Sequence, residues 1–466
     1  MVRTLLSISL VLTLFLAGCT LAPEYARPAA PAPGHWPDGP AYEGRPVGMA
    51  APDLNWRSFF TDEHLQQVIA ASLANNRDLR IAALNVERAR ELYRIQRAEV
   101  LPMVDAVGTA YRERIPADLS SSGQRMTAEQ YSVDLGTTAW EIDFFGRIRS
   151  LSQSALLTYF ATEQAHRSAQ VLLIAEVAHA YLTLAADREN LQLARSTLAS
   201  QQATYALIKL RFEVGLSPEL DLHQVQTRVE SARVEEARYT LSVAQDENAL
   251  NLLVGAPVPP ELSPMALGDA APLQEIAPGA SSEVLLGRPD ILAAENRLKA
   301  AYANIGAARA ALFPRIALTS SVGTASADLS GLFEAGSGTW LFSPQAALPI
   351  FDPRAWSALN VTKVDREIAL AQYEASIQSA FREVADTLAQ RGSLQKQLKA
   401  QQNLVAATEA TYRISNVRYE KGIDIYLSVL DAQRSLYAAQ QELIIVRFSD
   451  MASQVRLYTV LGGGAV

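Results

Sequence analysis

Residues 203–220, ATYALIKLRFEVGLSPEL, and residues 410–427, ATYRISNVRYEKGIDIYL, are two copies of one pattern, offset by 207 positions. In each copy a helical run ends in an aromatic residue and a glutamate, and a glycine follows two residues later, at Gly215 and Gly422. A glycine directly after a helical pattern is typical of a helix C-terminus, because glycine adopts the left-handed backbone without a steric penalty. The two stretches therefore predict two helical hairpins built to the same plan.

The repeat extends over most of the chain. Matching pairs at the same offset are Leu220 with Leu427, Gln226 with Gln433 and Gly255 with Gly462, and at an offset near 212 they are Asp78 with Asp290, Ala98 with Ala310 and Pro102 with Pro314. Chance similarity between alanine-rich helices is the alternative, but it does not account for the matched glycines and prolines. The sequence thus predicts a first repeat over 61–255 and a second over 287–466, joined by a linker at 256–286.

Each repeat is predicted to run helix, strand, strand, long helix, turn and helix. The strands are indicated by a period of two, as where Tyr131, Val133 and Leu135 alternate with polar or small residues. The predicted elements are strands at about 102–113, 130–142, 315–325 and 339–350, a first helix at about 62–99, and tip turns at 214–218 and 421–425.

The two long helices, predicted at about 148–213 and 353–420, are the unusual elements. Uninterrupted helical patterns of this length indicate a coiled coil, a membrane span or a tubular assembly. A stripe of apolar residues that includes Val171, Ile174 and Ala178 argues against a membrane span. No segment after residue 18 is expected to cross a membrane as a helix.

The predicted strands are each near the ten or so residues that a tilted strand needs to cross a bilayer. Four strands cannot close a barrel alone, and open strand edges are not tolerated in lipid. Three chains supply 12 strands, an even number that suits a bacterial barrel. The predicted fold class is therefore a mixed α and β membrane protein, with a trimeric 12-stranded outer-membrane β-barrel to which each chain contributes four strands.

The N-terminus has the pattern of a bacterial lipoprotein signal. Arg3 precedes an apolar run at residues 5–16 that is too short to span a bilayer, and Leu16-Ala17-Gly18-Cys19 follows. This sequence predicts cleavage after residue 18 and acylation of Cys19; an ordinary secretory signal with an incidental cysteine is the alternative. Residues 19–60 then form a lipid-anchored segment, and Thr20, where an aspartate would favour the inner membrane, points to the outer membrane.

Composition argues against several classes of function. The chain has 49 acidic and 41 basic residues and a formal net charge of −8, the opposite of what nucleic-acid binding requires. Cys19 is the only cysteine, and the five histidines are scattered without the spacing of metal ligands. The sequence contains no phosphate-binding loop and no Gly-x-Ser-x-Gly motif. We expect no catalytic residues, no metal and no cofactor.

Six short motifs are distinctive: residues 18–23 (GCTLAP), 140–147 (WEIDFFGR), 288–290 (RPD), 348–352 (LPIFD), 418–422 (RYEKG) and, the most specific, 426–436 (YLSVLDAQRSL). They resemble the TolC-like outer-membrane factors, in the lipoprotein branch that serves resistance-nodulation-division (RND) pumps. The similarity covers nearly the whole chain after the signal. One departure is Asp352-Pro353-Arg354, where the family commonly has glycines before the arginine, so we expect a local difference in strand-to-helix geometry.

This resemblance implies a barrel open to the outside that continues as a long periplasmic α-helical barrel. It implies the outer channel of a tripartite efflux pump: a passive duct, not an enzyme, through which drugs or other small toxic compounds leave the cell. The implied partners are two further copies of the chain, a periplasmic adaptor (membrane fusion protein), an inner-membrane RND pump and outer-membrane lipid. Residues 19–60 and 256–286 would form an equatorial belt.

The resemblance also assigns a periplasmic gate. Leu427, Asp431 and Arg434 lie at i, i+4 and i+7 on one stripe of the helix after the second turn. They match the constricting leucine and the Asp–Arg pair of the family. The alternative is a surface ion pair beside a core leucine, which would contribute little. The equivalent positions of the first repeat carry no charges.

The two turns are the predicted adaptor contacts. An exposed apolar Val-Gly-Leu sequence favours a partner protein over a plain hairpin turn, which is the alternative, and Asp424 is placed to favour cations at the mouth. Four aromatic residues are candidates for girdles at the membrane interfaces, with core packing as the alternative. The turn residues are Val214, Gly215, Leu216, Ser217, Lys421, Gly422, Ile423 and Asp424, and the aromatic residues are Trp140, Phe144, Phe145 and Trp340.

Two other functional classes share part of this pattern. A type I protein-secretion duct has the same fold but a polypeptide cargo, and the lipid anchor argues against it. A periplasmic adaptor lipoprotein shares the anchor and a long hairpin. It should, however, contain lipoyl-like β segments and no nearly chargeless strand pairs.

Overall fold

The computed structural model describes residues 20–43, 49–50, 54–268, 273–279 and 281–463. Cys19, the predicted acylation site, lies outside the described residues. The chain forms two compact units. The first contains the segment up to residue 29 with residues 86–162 and 294–373, and the second contains residues 30–85, 163–293 and the chain from residue 374 onward.

Helices and strands follow the order that the repeat predicts. The helices are α1 (Trp56–Phe59), α2 (Glu63–Asn75), α3 (Arg77–Ala98), α4 (Arg147–Glu213), α5 (Glu219–Val254), α6 (Pro289–Ala310), α7 (Pro353–Glu420) and α8 (Tyr426–Val460). The strands are β1 (Met49–Ala50), β2 (Asp105–Ile115), β3 (Met126–Ile142), β4 (Ile276–Ala277), β5 (Arg315–Ser326) and β6 (Gly338–Ala347). Helices α4 and α7 contain 67 and 68 residues.

The first unit contains an antiparallel sheet of four strands in the order β2-β3-β5-β6. Leu135 lies opposite Val322, which lies opposite Trp340, so these apolar side chains share one face. Ser132 is on the other face, where its Oγ lies 2.7 Å from that of Thr109. The register therefore gives one apolar and one more polar face. Strands β2 and β6 form the two edges of this sheet.

Strand ends differ from the predicted ones. Strand β2 begins at Asp105, after Pro102, and β3 begins at Met126, because the pairing of β2 with β3 continues up to the loop between them. Strand β3 also contains a bulge between Thr137 and Trp140. There Ala139 has a φ of 53° and donates its N–H to a threonine hydroxyl of β5 at 3.0 Å. Side-chain alternation alone does not reveal an inserted residue of this kind.

The first predicted helix, 62–99, is in fact two helices that meet at Asn76. Asn76 leaves the helical conformation (φ −61°, ψ 132°), and its Oδ1 accepts the backbone N–H of Leu79 at 2.9 Å, which caps α3. Its Nδ2 donates to the carbonyl of Leu253 at 2.9 Å, and the hydroxyl of Ser72 donates to the same carbonyl at 2.8 Å. The break therefore ties both helices to the end of α5.

Helix α4 corrects one expectation. By length and composition it contains a stretch apolar enough to cross a membrane, where the sequence analysis expected none. However, 56% of that stretch is buried within the chain, and Ile174, Val177 and Ala178 on this helix are fully buried. Burial of this extent is typical of a core helix, and this stretch is weak evidence for a membrane span.

Arg288, in the motif Arg288-Pro289-Asp290, holds the end of α8. This side chain is buried, and its Nη1 donates to the carbonyl of Val460 at 2.6 Å. Its Nε and Nη2 donate to Asp290 at 3.0 and 2.8 Å, and Nη2 also donates to Glu383 at 3.0 Å. Burial by itself lowers the pKa of Arg288, but the two carboxylates outweigh it and raise this pKa. A charged donor thus satisfies a carbonyl at a helix C-terminus.

Candidate gate and docking surfaces at the hairpin turns

Both hairpin turns have the same backbone geometry. After α4, Gly215 adopts a φ of 78°, and the N–H of Leu216 donates to the carbonyl of Arg211 at 2.7 Å. After α7, Gly422 adopts a φ of 69°, and the N–H of Ile423 donates to the carbonyl of Arg418 at 2.9 Å. These are the bonds of a Schellman motif, which needs a residue in the left-handed conformation. The same local sequence therefore produces the same helix end in both repeats.

Behind the turns, side chains of the two hairpins pack together. Tyr419 accepts a hydrogen bond from Arg211 Nη1 at 3.2 Å, and the Arg211 guanidinium lies 5.5 Å from the centre of its ring. This link is not predicted by the repeat pattern. Its one signal in the sequence is that Tyr419 stands at the position equivalent to Phe212, which adds a hydroxyl. The buried cluster beside it contains Ile208, Val225, Tyr426, Val429 and Leu430, edged by Tyr205, Leu222, Tyr412 and Tyr419.

The first turn is apolar. Val214 and Leu216 are 61% and 71% exposed and take no part in the buried cluster. Ser217 turns inward from them and donates its hydroxyl to Asp221 at 3.1 Å. An exposed apolar pair at the end of a hairpin is a surface that a partner protein can cover.

The second turn is charged. Asp424 accepts a hydrogen bond from Arg418 Nε at 2.6 Å. Lys421 is exposed beside this pair, and Ile423 and Ile425 are 58% and 68% exposed. The turn residues predicted from the sequence therefore fall into two surfaces of different chemistry.

The predicted gate residues lie on the exposed face of α8. Leu427 is 46% exposed, and Arg434 Nη2 lies 3.3 Å from Asp431 Oδ1, with both side chains more than half exposed. The buried cluster takes an adjacent face of the same helix, at Tyr426, Val429 and Leu430. Leu427 is thus not a core leucine of this chain. The spacing of the three residues places them on one surface stripe, as the sequence analysis predicts.

The equivalent stripe on α5 is uncharged. Leu220 is 65% exposed, and Gln224 and Thr227 take the places of the ion pair. Thr227 donates its hydroxyl to the backbone carbonyl of His223 at 2.9 Å. Of these two equivalent stripes, only the one on α8 carries an ion pair.

The four predicted interfacial aromatic residues occupy different environments. Phe145 stacks on Phe313, with ring centres 5.0 Å apart, and Trp140 donates its Nε1–H to a backbone carbonyl at 3.2 Å. Phe144 and Trp340 are 42% and 79% exposed. Phe145 makes the packing contact that the alternative interpretation expects, and the girdle stays a prediction for the others.

Within the described ranges, no group of three His, Cys, Asp or Glu side chains is placed to hold a metal ion. The arrangement at the turns consists of exposed apolar residues, one ion pair at a helix end and one ion pair on a helix face. Such surfaces can bind a partner or obstruct a passage.

Comparison with known proteins identifies the family. The model of the family described as outer membrane efflux protein matches residues 68–256 and 280–463, one segment in each repeat. The toluene efflux pump outer membrane protein TtgC of Pseudomonas putida is 48% identical over 466 residues, which cover 100% of this chain and 96% of that protein. Both matches extend over most of the chain.

Solved structures agree with this family. A membrane protein from Pseudomonas aeruginosa has a TM-score of 0.89 and 41% sequence identity, over 96% of this chain and 98% of its own. The outer membrane channel MtrE of Neisseria gonorrhoeae, in its open state, has a TM-score of 0.86 and 35% identity over the same shares. The predicted fold class, that of trimeric TolC-like channels with two repeats, is confirmed. The chain belongs to the outer membrane efflux protein family, and it is a passive channel in the outer membrane that serves as the outer component of an efflux pump.

Proposed function

We propose that three copies of this chain form a duct for small, poorly water-soluble organic compounds, which a periplasmic adaptor and an inner-membrane RND pump deliver to it. The edge strands support the trimer. Because β2 and β6 run in opposite directions, β6 of one copy can pair with β2 of the next in the antiparallel sense. Three copies close 12 strands and leave no unpaired edge in lipid.

The proposed cargo follows from the relative that shares 48% of its residues over the whole chain, a toluene efflux pump outer membrane protein. Toluene is small and apolar, and a passive duct does not itself need a tight binding site for it. Selection of the cargo then belongs to the pump. Protein cargo, as in a type I secretion duct, is the competing possibility, and a secretion assay in the same strain separates the two.

One observation carries the proposed gate: Leu427, Asp431 and Arg434 form a single exposed stripe on α8, beside the face that packs into the buried cluster. Around a trimer axis, three copies of Leu427 would narrow the passage. Three carboxylates brought together repel one another, and an adjacent arginine offsets that repulsion. The closed state would therefore be held by apolar contact and by the Asp431–Arg434 pair.

Planar-bilayer conductance tests the gate. Changing Asp431 and Arg434 together to Ala removes both charges and leaves neither one unpaired. We expect a higher single-channel conductance, with a further rise when Leu427 is also changed to Ala. The matched control is Gln224→Ala with Thr227→Ala, the equivalent positions of the first hairpin, where no rise is expected. Unchanged conductance in both double variants would show that the stripe packs against a neighbouring helix.

Acylation of Cys19 is the remaining part of the proposal, supported by the Leu-Ala-Gly-Cys sequence. Replacing Cys19 with Ser should remove the lipid and spare assembly, because the strands themselves embed in the membrane. Metabolic labelling with palmitate and native gels measure the two properties. Label that persists on the variant contradicts acylation at Cys19, and a shift to monomers would show that assembly needs the anchor.

A further inference from the structure

The segment just after Cys19 is clamped onto α6 within the first unit. The carbonyl of Leu21 accepts a hydrogen bond from Arg309 Nη1 at 3.0 Å. Gly306 lies one turn before Arg309 on α6. The backbone of Ala22 is so close to Gly306 that a Cβ added there would lie 2.7 Å from the Ala22 nitrogen. A larger residue at position 306 would push the segment off the helix.

Glu295 holds the same segment a few residues later. The Glu295 side chain is only 3% exposed. Its carboxylate accepts hydrogen bonds from the Tyr25 hydroxyl at 2.9 Å and from Arg27 Nε and Nη2 at 3.1 and 2.8 Å. Lys299 Nζ lies 3.0 Å away. Burial by itself raises the pKa of Glu295, but these hydrogen bonds outweigh burial and lower it. A buried carboxylate with this many charged donors is a firm attachment point.

This clamp limits where Cys19 can lie. An extended chain advances at most about 3.6 Å per residue, so Cys19 is within about 7 Å of Leu21. Arg309, which binds Leu21, is in the last turn of α6, and β5 begins at Arg315. An acyl group on Cys19 therefore starts near the end of the sheet that adjoins α6.

A groove crosses the apolar face of the sheet close to this end. Its volume is about 360 Å³, and it has no charged residue in its lining. The bulge in β3 lies within it, and a bulge bends its strand. Val104, Leu135 and Val322 in this lining are each more than half exposed. The apolar lining residues are Pro102, Val104, Leu135, Trp140, Leu318 and Val322.

We propose that this groove is the seat of an acyl chain carried by Cys19, an inference that rests on the acylation proposed above. Leu318 is three residues along β5 from Arg315, about 10 Å at strand spacing. A membrane-anchoring chain fills half of the hydrocarbon core, about 15 Å, which is longer than this step along the strand. The groove floor is on β3 and β5, the two central strands, so closure of a trimer through β2 and β6 leaves it accessible. The acyl chain would then be bound to the sheet of its own chain instead of being surrounded by bulk lipid.

Photo-crosslinking in native membranes tests the seat. A benzoylphenylalanine replaces Leu318 in the groove or, as a matched control, Tyr131, which lies on the same face of the sheet four residues from Leu135 and outside the groove. After irradiation and digestion, mass spectrometry identifies the crosslinked product. We expect the acylated N-terminal peptide at position 318 and none at 131. Recovery of only free phospholipid at 318, or equal yields of the acylated peptide at both positions, overturns the proposal.

A second variant tests the clamp. Gly306→Val should displace the segment from α6 and abolish the crosslink at position 318, whereas Gly287→Val, where a side chain meets open space, should not. An undiminished crosslink in Gly306→Val contradicts the inference that the clamp delivers the acyl chain. Palmitate labelling is read on the same samples. Absence of label refutes acylation itself, whereas label without a crosslink at 318 refutes only the groove.

Discussion

The two helical hairpins of this chain share a backbone and differ in the side chains at their ends. Both turns close with the same hydrogen bonds around Gly215 and Gly422. The first then presents the exposed Val214 and Leu216, and the second presents the exposed Ile423 and Ile425 together with an ion pair formed by Arg418. A helix end restricts the residue type only at the few positions that need special backbone angles. Its exposed positions can carry side chains of any chemistry. Two copies of one unit can therefore have separate roles, which we propose are docking and gating.

The hairpins also differ in their interiors. Asp187 and Asp246 approach each other between α4 and α5, and the equivalent positions of the second hairpin are Leu394 and Ser453. Burial, and then the negative charge of Asp187, raise the pKa of Asp246 to about 6. The first hairpin thus contains a carboxyl pair that costs free energy when both groups are ionised, and the two equivalent positions of the second hairpin carry no carboxyl group.

The largest expected effect comes from the apolar turn. Deleting Val214, Gly215 and Leu216 should abolish efflux and lower drug resistance to that of a strain lacking the protein, because the proposed docking surface is lost. Trimer level should not change, since Val214 and Leu216 lie outside the buried cluster. Drug susceptibility, crosslinking to the adaptor and native gels are the measurements. The control is deletion of Ser120, Ser121 and Ser122 in the loop after β2, and normal efflux without the turn would contradict docking.

Next in size is the cluster that joins the hairpins. Tyr426 is 5% exposed within it, and its equivalent in the first repeat is the surface residue Glu219. Tyr426→Ala should lower the free energy of unfolding by about 3–5 kcal/mol, as for other large aromatic residues in cores. Glu219→Ala should change it by less than about 0.5 kcal/mol. Denaturation in detergent, followed by helical circular dichroism, measures both. Equal effects would show that the two positions do not differ in packing.

A smaller effect is expected from the charged turn. Asp424→Asn removes a partly exposed carboxylate and should reduce the preference of the channel for cations, read as a shift in reversal potential under a salt gradient. The shift should shrink as ionic strength rises, because exposed charges are screened. Ser217→Ala, at the equivalent position of the first turn, should leave the reversal potential unchanged. If Asp424→Asn also leaves it unchanged, the second turn does not line the mouth.

The smallest effect is the pH dependence of the first hairpin. Because the pKa of Asp246 is raised in the folded protein, the folded state binds the proton more tightly than the unfolded state does. The stabilisation that protonated Asp246 contributes is therefore complete at pH values below the ordinary pKa of an aspartate. It is lost as the pH rises to about 6 and beyond. Asp246→Asn should raise the melting temperature slightly at pH 7.5 and not at pH 4. An equal rise at both pH values would exclude the titration of Asp246 as the cause.

The sequence by itself determined the features that depend on short-range pattern. The turns were predictable because a left-handed residue after a long helix strongly favours glycine, as at Gly215 and Gly422. The faces of the sheet were predictable because neighbouring side chains on a strand point to opposite sides, as Ser132 and Val133 do. The exposed stripe of Leu427, Asp431 and Arg434 on α8 was predictable for the same kind of reason, since residues four and seven apart share one side of a helix.

Only the tertiary structure decided the features that depend on partners far away in the chain. The break at Asn76 exists because a carbonyl of Leu253 accepts its amide. The link from Arg211 to Tyr419 and the hold of Arg309 on Leu21 join residues about 200 or more positions apart. Hydrogen bonds of this kind are short-ranged and directional, so they form only where the fold brings both groups into place. A sequence shows which groups can donate and accept, and the folded chain decides which of them meet.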